Sequence, residues 1–295
     1  MAYQVLDSEW QAPQRGARSE PQASEGDGME RVRVEKKDGI ADLRLVRADK
    51  LNAFDLSMFA ALVDAGLELA ADRSLRAVVI SGEGRAFSSG LDIQAVMSRI
   101  GEREAGPRLS DATAGSPANH AQRAAWIWQE VPVPVIAAVH GVAYGAGLQL
   151  ALGADIRFVA PDAKLSIRET YWGLVPDVGL TQTLRNVVGL DVAKELTFTA
   201  RVVSGAEAKE LRLATHVSDD PHRDAMALAR EIAGRSPDAV RAAKRLLNTA
   251  LLGSVADGLR LEAELQATLI GKPNQLEAVR ANLEKREPRF HDPAS

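Results

Sequence analysis

The chain has 295 residues, 46% of them apolar, enough for one large domain or two modest ones with a sizeable core. Its longest apolar stretch, Val135 to Leu152, is broken by His140, Gln149 and several glycines, so it does not supply the roughly 20 apolar residues of a helical bilayer span and the chain reads as soluble. With 36 basic against 40 acidic side chains, a net charge of -4 and no dense Lys/Arg block, nucleic acid and anionic membranes are disfavoured as partners. There is no cysteine, which removes disulfide scaffolds, thiolate metal sites and thiol nucleophiles, and the scattered histidines offer no metal cluster.

Residues 1–30 are polar, carry Pro13 and Pro21 and show no periodicity, so they read as a disordered tail. They lack the apolar segment of a secretory signal, and the acids Asp7, Glu9, Glu20, Glu25 and Asp27 do not suit a mitochondrial presequence, so a cytoplasmic location is expected. From Arg31 to Glu35 valines alternate with charges, Asp38-Gly39 supplies a turn, and Ile40 to Val46 resumes the alternation, predicting a β-hairpin. Asp55 is placed to cap a helix over Leu56 to Ala71, followed by a strand from Arg76 to Ile80. A second round follows: a helix near Ala118 to Gln129, a strand Val135 to Val139, a glycine-rich turn, a short apolar helix to Leu152 and a strand Ile156 to Val159. This alternation predicts an α/β fold.

Beyond Thr181 the pattern is helical, at about 190–199, 205–210, 222–235, 237–251, 255–269 and 274–285. The last of these helices carry more apolar positions than one buried face requires, as they would if they packed on another subunit.

Two strand-to-helix turns stand out: Ala86-Phe87-Ser88-Ser89-Gly90-Leu91-Asp92-Ile93, and His140 to Leu150 with Gly141, Gly145 and Gly147. The first amides of a helix lack internal partners and lie at the positive end of its dipole. Two such turns facing each other would hold a developing negative oxygen. Neither has the spacing of a nucleotide phosphate loop, and His140 has no Ser–His–acid arrangement around it.

In this order, together with Lys50-Leu51-Asn52-Ala53, Gly173-Leu174-Val175-Pro176 and the tail Glu284 to Phe290, these motifs resemble the crotonase (enoyl-CoA hydratase/isomerase) superfamily over about residues 31–290. The resemblance implies a crotonase-like spiral of ββα units over residues 31–200. It also implies a C-terminal helical trimerisation region over residues 201–295, in a homotrimer or homohexamer. It implies an acyl-CoA thioester as substrate, with coenzyme A part of that substrate and no metal or redox cofactor. The amides of Leu91 and Ala146 would form the oxyanion hole. Alanine suits the second position provided its φ is negative. Lys50, Leu51, Ala53, Ser89 and Asp92 would meet the coenzyme A, with Lys285 reaching its phosphates in its own or a neighbouring subunit.

Hydratases of the superfamily use two glutamates, and here the first position is Gln149 while the second is Glu169. An amide orients water but does not exchange its proton near neutral pH, so the paired-carboxylate mechanism is incomplete. On that footing a Gln149→Glu replacement is expected to restore hydration. Asp177, eight residues after Glu169, is similar to the second acid of dienoyl-CoA isomerases, and double-bond isomerisation is favoured. Asp177 reads alternatively as a helix N-cap, and Glu169 as an ion-pair partner of Arg168 or another arginine. The other functional readings are a hydratase in which Gln149 positions water and Glu169 does the proton work, and a non-catalytic acyl-CoA- or RNA-binding homologue.

Overall fold

The computed structural model describes residues 30–97, 109–250 and 252–293, so the tail expected over residues 1–30 lies outside it except for Glu30. The hairpin forms from β1 (Val32–Lys37) and β2 (Ile40–Leu45), joined by Asp38 at φ 52° and Gly39 at φ 75°. Two successive left-handed residues make the turn whose twist matches that of the paired strands. A single 3-10 turn, Ala48–Lys50, then leads to α1 (Leu56–Ala71), capped by Asp55, which accepts the Met58 amide at 2.8 Å. The chain continues through β3 (Ala77–Gly82), α2 (Ile93–Met97), α3 (His120–Glu130), β4 (Val135–Val139), β5 (Val142–Tyr144), α4 (Ala146–Gly153), β6 (Ile156–Val159) and β7 (Lys164–Ser166). Next come α5 (Leu180–Leu184), α6 (Leu190–Thr199), β8 (Val203–Ser204), α7 (Gly205–Glu210), β9 (His216–Val217) and the helices α8 (Pro221–Ala233), α9 (Pro237–Ala250), α10 (Val255–Leu269) and α11 (Pro273–Glu284).

The main sheet has the order β1-β2-β3-β4-β6-β9, antiparallel at β1–β2 and parallel elsewhere. Its central strands read as unbroken apolar runs because both faces are covered. The two-residue period of a strand divides them: Val78, Ile80, Val135 and Ala137 join the core beneath α1, α3 and α4, whereas Ala77, Val79, Ile136 and Ala138 pack under Ala225 and Ala229 of α8. A second sheet, β5-β7-β8, was not expected from the sequence. Its strands have two or three residues each, too few for an alternation to show, and β5 lies inside the segment read as a glycine-rich turn.

The helices after residue 180 fall within a few residues of the expected spans. Lys244, 7% exposed, pins α9 to the core. Its Nζ donates to the carbonyls of Trp128 and Val133 at 2.8 and 2.9 Å and pairs with Asp155 at 2.8 Å. The outer helices are less covered: α10 buries only Leu265, while Val255 is 81% and Leu283 80% exposed. The surplus apolar positions noted in the sequence thus face outward in the single chain.

Candidate active site

The two glycine turns are stitched together edge to edge. Ser88 donates its amide to Val142 O and its carbonyl accepts that of Tyr144, both at 3.0 Å, and the Phe87 amide reaches His140 O at 2.9 Å. At Gly90, with φ +86°, a Cβ would stand 2.5 Å from Tyr144 O and 3.5 Å from Ala146 N, so the Gly90–Leu91 peptide lies directly against the start of α4. Ala146 is the first residue of α4 and is not among the residues with positive φ, so the condition set for it is met. Among the described residues, neither the Leu91 nor the Ala146 amide has a hydrogen-bond acceptor. Both residues line one cavity of about 430 Å³, and Ser89 lies beside them on its wall.

Glu169 enters the same cavity from the 3-10 turn Glu169–Trp172, which follows β7. It is 9% exposed, its Oε1 accepts from Gln149 Nε2 at 2.5 Å, and its Oε2 is buried with no partner among the described residues. Burial raises its carboxyl above the ordinary glutamate range, and the charge of Asp177 adds to that shift. Asp177 lines the cavity too. The residue is exposed, yet desolvation by its surroundings still raises its carboxyl above the ordinary aspartate range. The two carboxyls therefore face one space, each displaced toward its protonated form, Glu169 by burial and then the charge of Asp177, Asp177 by desolvation.

Three expectations need correction. Asp177 is not a helix cap, because Gly179 occupies the N-cap of α5 without a side-chain bond. Glu169 forms no ion pair with Arg168 among the described residues: the guanidinium donates to Ala200 O at 3.2 Å and lies 4.3 Å from the centre of the Tyr171 ring. Gln149 is not placed to hold water. It is fully buried, does not line the cavity, and its Oε1 accepts from the Val178 amide at 2.8 Å while its Nε2 serves Glu169. A carboxylate at position 149 would face Glu169 oxygen to oxygen, so the gain in hydration expected of Gln149→Glu has no structural basis.

The residues expected around coenzyme A are only partly assembled. Lys50 is exposed and Leu51 takes a left-handed conformation, its carbonyl accepting the Ser89 amide at 2.9 Å. Ala53 is buried, and none of these three lines the cavity. Asp92 is engaged elsewhere, accepting from Arg47 at 2.8 Å and from the Ala95 amide at 3.1 Å and so securing the start of α2. Lys285 closes α11 in a left-handed conformation and does not border the cavity of its own chain. Sequence reasoning missed Asn52 and Arg47 as the loop's framework. Asn52, fully buried, binds the Arg47 amide and the carbonyls of Glu83 and Ala86 at 2.9–3.0 Å, and Arg47 also contacts Asp55. Asn52 stood in a quoted motif, but its partners lie 31 and 34 residues away and no spacing rule points to them.

The remaining cavity wall is mostly apolar, with Phe59, Ile93, Leu109, Trp172, Leu174 and Val175, while Ser110, Asn119 and Arg168 add polar groups. The cavity thus offers mostly apolar surface with a few convergent polar groups, the composition of a small-molecule pocket.

Comparison with known proteins gives the family. The sequence model of the family described as "Enoyl-CoA hydratase/isomerase" matches residues 35–293. The chain is 35% identical to the Mus musculus mitochondrial methylglutaconyl-CoA hydratase over 288 residues, covering 95% of this chain and 88% of that protein. It is 32% identical to the Arabidopsis thaliana peroxisomal Delta(3,5)-Delta(2,4)-dienoyl-CoA isomerase, covering 89% and 96%. Among solved structures, an enoyl-CoA hydratase from Bacillus anthracis superposes with a TM-score of 0.80 at 29% identity, over 88% of this chain and 99% of that one.

Proposed function

Because the chain belongs to the enoyl-CoA hydratase/isomerase family and is an enzyme acting on acyl-CoA thioesters, we propose that its reaction is the migration of a carbon–carbon double bond along the acyl chain. The observation that carries this reading is the placement of two carboxyls, Glu169 and Asp177, on a cavity whose wall also holds the amides of Leu91 and Ala146, unpartnered among the described residues. The amides receive the thioester oxygen, and ionised Glu169 takes a proton from the carbon next to the thioester carbonyl. The electron pair delocalises into a dienolate, whose negative oxygen is held by the two N–H groups. Protonated Asp177 returns a proton farther along the chain, and the double bond comes into conjugation with the thioester. Glu169 ends protonated and Asp177 ionised, and exchange with water at the cavity mouth resets them.

Hydration is the second reading, favoured by the 35% identity to a protein named as a methylglutaconyl-CoA hydratase. With Gln149 committed to Val178 and Glu169, water would then have to be held between Glu169 and Asp177. The two readings separate on incubation with 3-enoyl-, 3,5-dienoyl- and 2-enoyl-CoA esters, followed by mass and ultraviolet spectra. Isomerisation leaves the mass unchanged and builds conjugated absorbance. A product heavier by one water from a 2-enoyl ester, with no conversion of the 3-enoyl ester, would overturn the isomerase reading.

Asp177→Asn supplies a sharper check. The variant removes the proton donor, so kcat should fall on the order of 10²-fold. Desolvation raises the Asp177 carboxyl, and in this mechanism its ionisation sets the alkaline limb of the pH–rate profile. That limb should vanish in the variant. A limb that persists would show that Asp177 is not the acid.

The exposed apolar residues of α10 and α11 and the family resemblance support assembly as a trimer or a dimer of trimers. Light scattering at micromolar concentration should return one of those masses. A stable monomer would remove the assembly and with it any role for Lys285 at a neighbouring site.

A further inference from the structure

Gln149 exchanges no proton, yet it is wholly buried and its amide is engaged at both ends. The two bonds tie α4 to the turn that carries Glu169 and to the peptide immediately after Asp177. Resting on the proton-transfer reading above, we propose that Gln149 is a positioning residue that fixes both carboxyls at once, holding Glu169 by Oε1 so that Oε2 is left without a protein partner among the described residues, and anchoring the peptide that follows Asp177.

The partners dictate the amide. Val178 offers an N–H and needs an acceptor, while ionised Glu169 offers only acceptors and needs a donor. Glutamine supplies both on one side chain. A glutamate in its place would satisfy Val178 but set two carboxylate oxygens within hydrogen-bonding distance where Nε2 now donates to Oε1, and two carboxylates so close share a proton rather than both ionise. The amide therefore leaves Glu169 ionised at a lower pH than a second carboxylate would. The charged groups around Glu169 allow this effect to be isolated. Asp177, from the segment after its turn, acts to raise its pKa. Arg168, its chain neighbour, is directed to Ala200 O and the Tyr171 ring. On the α6 side, the Thr197 carbonyl is taken by Thr170, and Glu195 is paired with Arg201.

The test uses the full chain carrying Gln149→Met or Gln149→Glu, with the Glu169 carboxyl followed by carbon-13 NMR and assigned by its loss in Glu169→Gln. In Gln149→Met the carboxyl loses its donor, so its titration should move up by about one pH unit. The kcat on the acid side of the profile should fall about tenfold and recover at higher pH, with KM changed less than about twofold. Recovery with pH is what a merely loosened site would not show. Gln149→Glu keeps the acceptor for Val178 and carries the test if Gln149→Met does not fold, and in it the titration should also rise and split into two coupled steps. An unshifted Glu169 titration in a folded variant would overturn the positioning role. The titration needs no turnover, so a wild-type protein inactive on every ester would sink the isomerase reading and leave this result standing on its own.

Discussion

Glu169→Gln is expected to lower turnover of a 3-enoyl- or 3,5-dienoyl-CoA by at least about 10³-fold, within the range for losing a positioned general base, while CoA-ester binding stays nearly unchanged. The replacement keeps the volume of the side chain and an oxygen able to accept from Gln149, so the walls of the cavity should not move. What disappears is the unpartnered Oε2, the one buried side-chain oxygen in the described residues without a hydrogen bond. A buried carboxylate with a free lone pair is costly to fold around and useful to a substrate carbon. The same substitution should therefore stabilise the protein, and the sign depends on pH. The Glu169 carboxyl is raised, chiefly by burial, so the folded state resists its ionisation and loses stability as pH rises through the ordinary glutamate range and then the raised one. Glu169→Gln removes that loss. Its melting temperature should exceed that of the wild type near pH 8 and approach it below the ordinary glutamate range. Turnover within tenfold of wild type would remove Glu169 from the chemistry. A lower melting temperature at pH 8 would show that the carboxylate has a partner the geometry does not reveal.

What the sequence disclosed and what it hid follow from the range of the interactions concerned. The hairpin at Asp38-Gly39, the Asp55 cap and the buried strand Val135 to Val139 were legible because each depends on neighbours a few residues away. The short strands β5, β7 and β8 were not, since the register joining Val142–Tyr144 to Lys164–Ser166 is set by packing across more than one element. At the site, residue types located the turns and both carboxyls, but spacing could not say what each polar group was bound to. Asp177 looked equally like a cap until Gly179 proved to occupy that position. Gln149 looked like a water-holding amide until both ends were found engaged. Asp92 looked like a ligand for coenzyme A, though its carboxylate is held by Arg47, 45 residues earlier in the chain.

Gly90→Ala is expected to reduce kcat on the order of 10²–10³-fold, as loss of one oxyanion donor commonly does, although the residue contributes no side chain to the site. Its φ of +86° is one that L residues resist, and the added Cβ would sit 2.5 Å from Tyr144 O, closer than real contacts allow. The glycine cannot retreat, because its amide donates to Ser88 Oγ at 3.1 Å and its carbonyl accepts from Phe54 N at 2.7 Å. Relief must come from parting the two stitched turns, which draws the Leu91 amide away from that of Ala146. Gly271→Ala supplies the control. That glycine has a similar φ, +75°, but nothing stands within 4 Å of where its Cβ would be, so only conformational strain of roughly 1–2 kcal/mol remains. It should cost Gly271→Ala a few degrees of melting temperature and no kcat. Equal losses of kcat in the two variants would assign the effect to general destabilisation. Full kcat in a folded Gly90→Ala would mean that the spacing of the two amides does not govern the stability of the enolate.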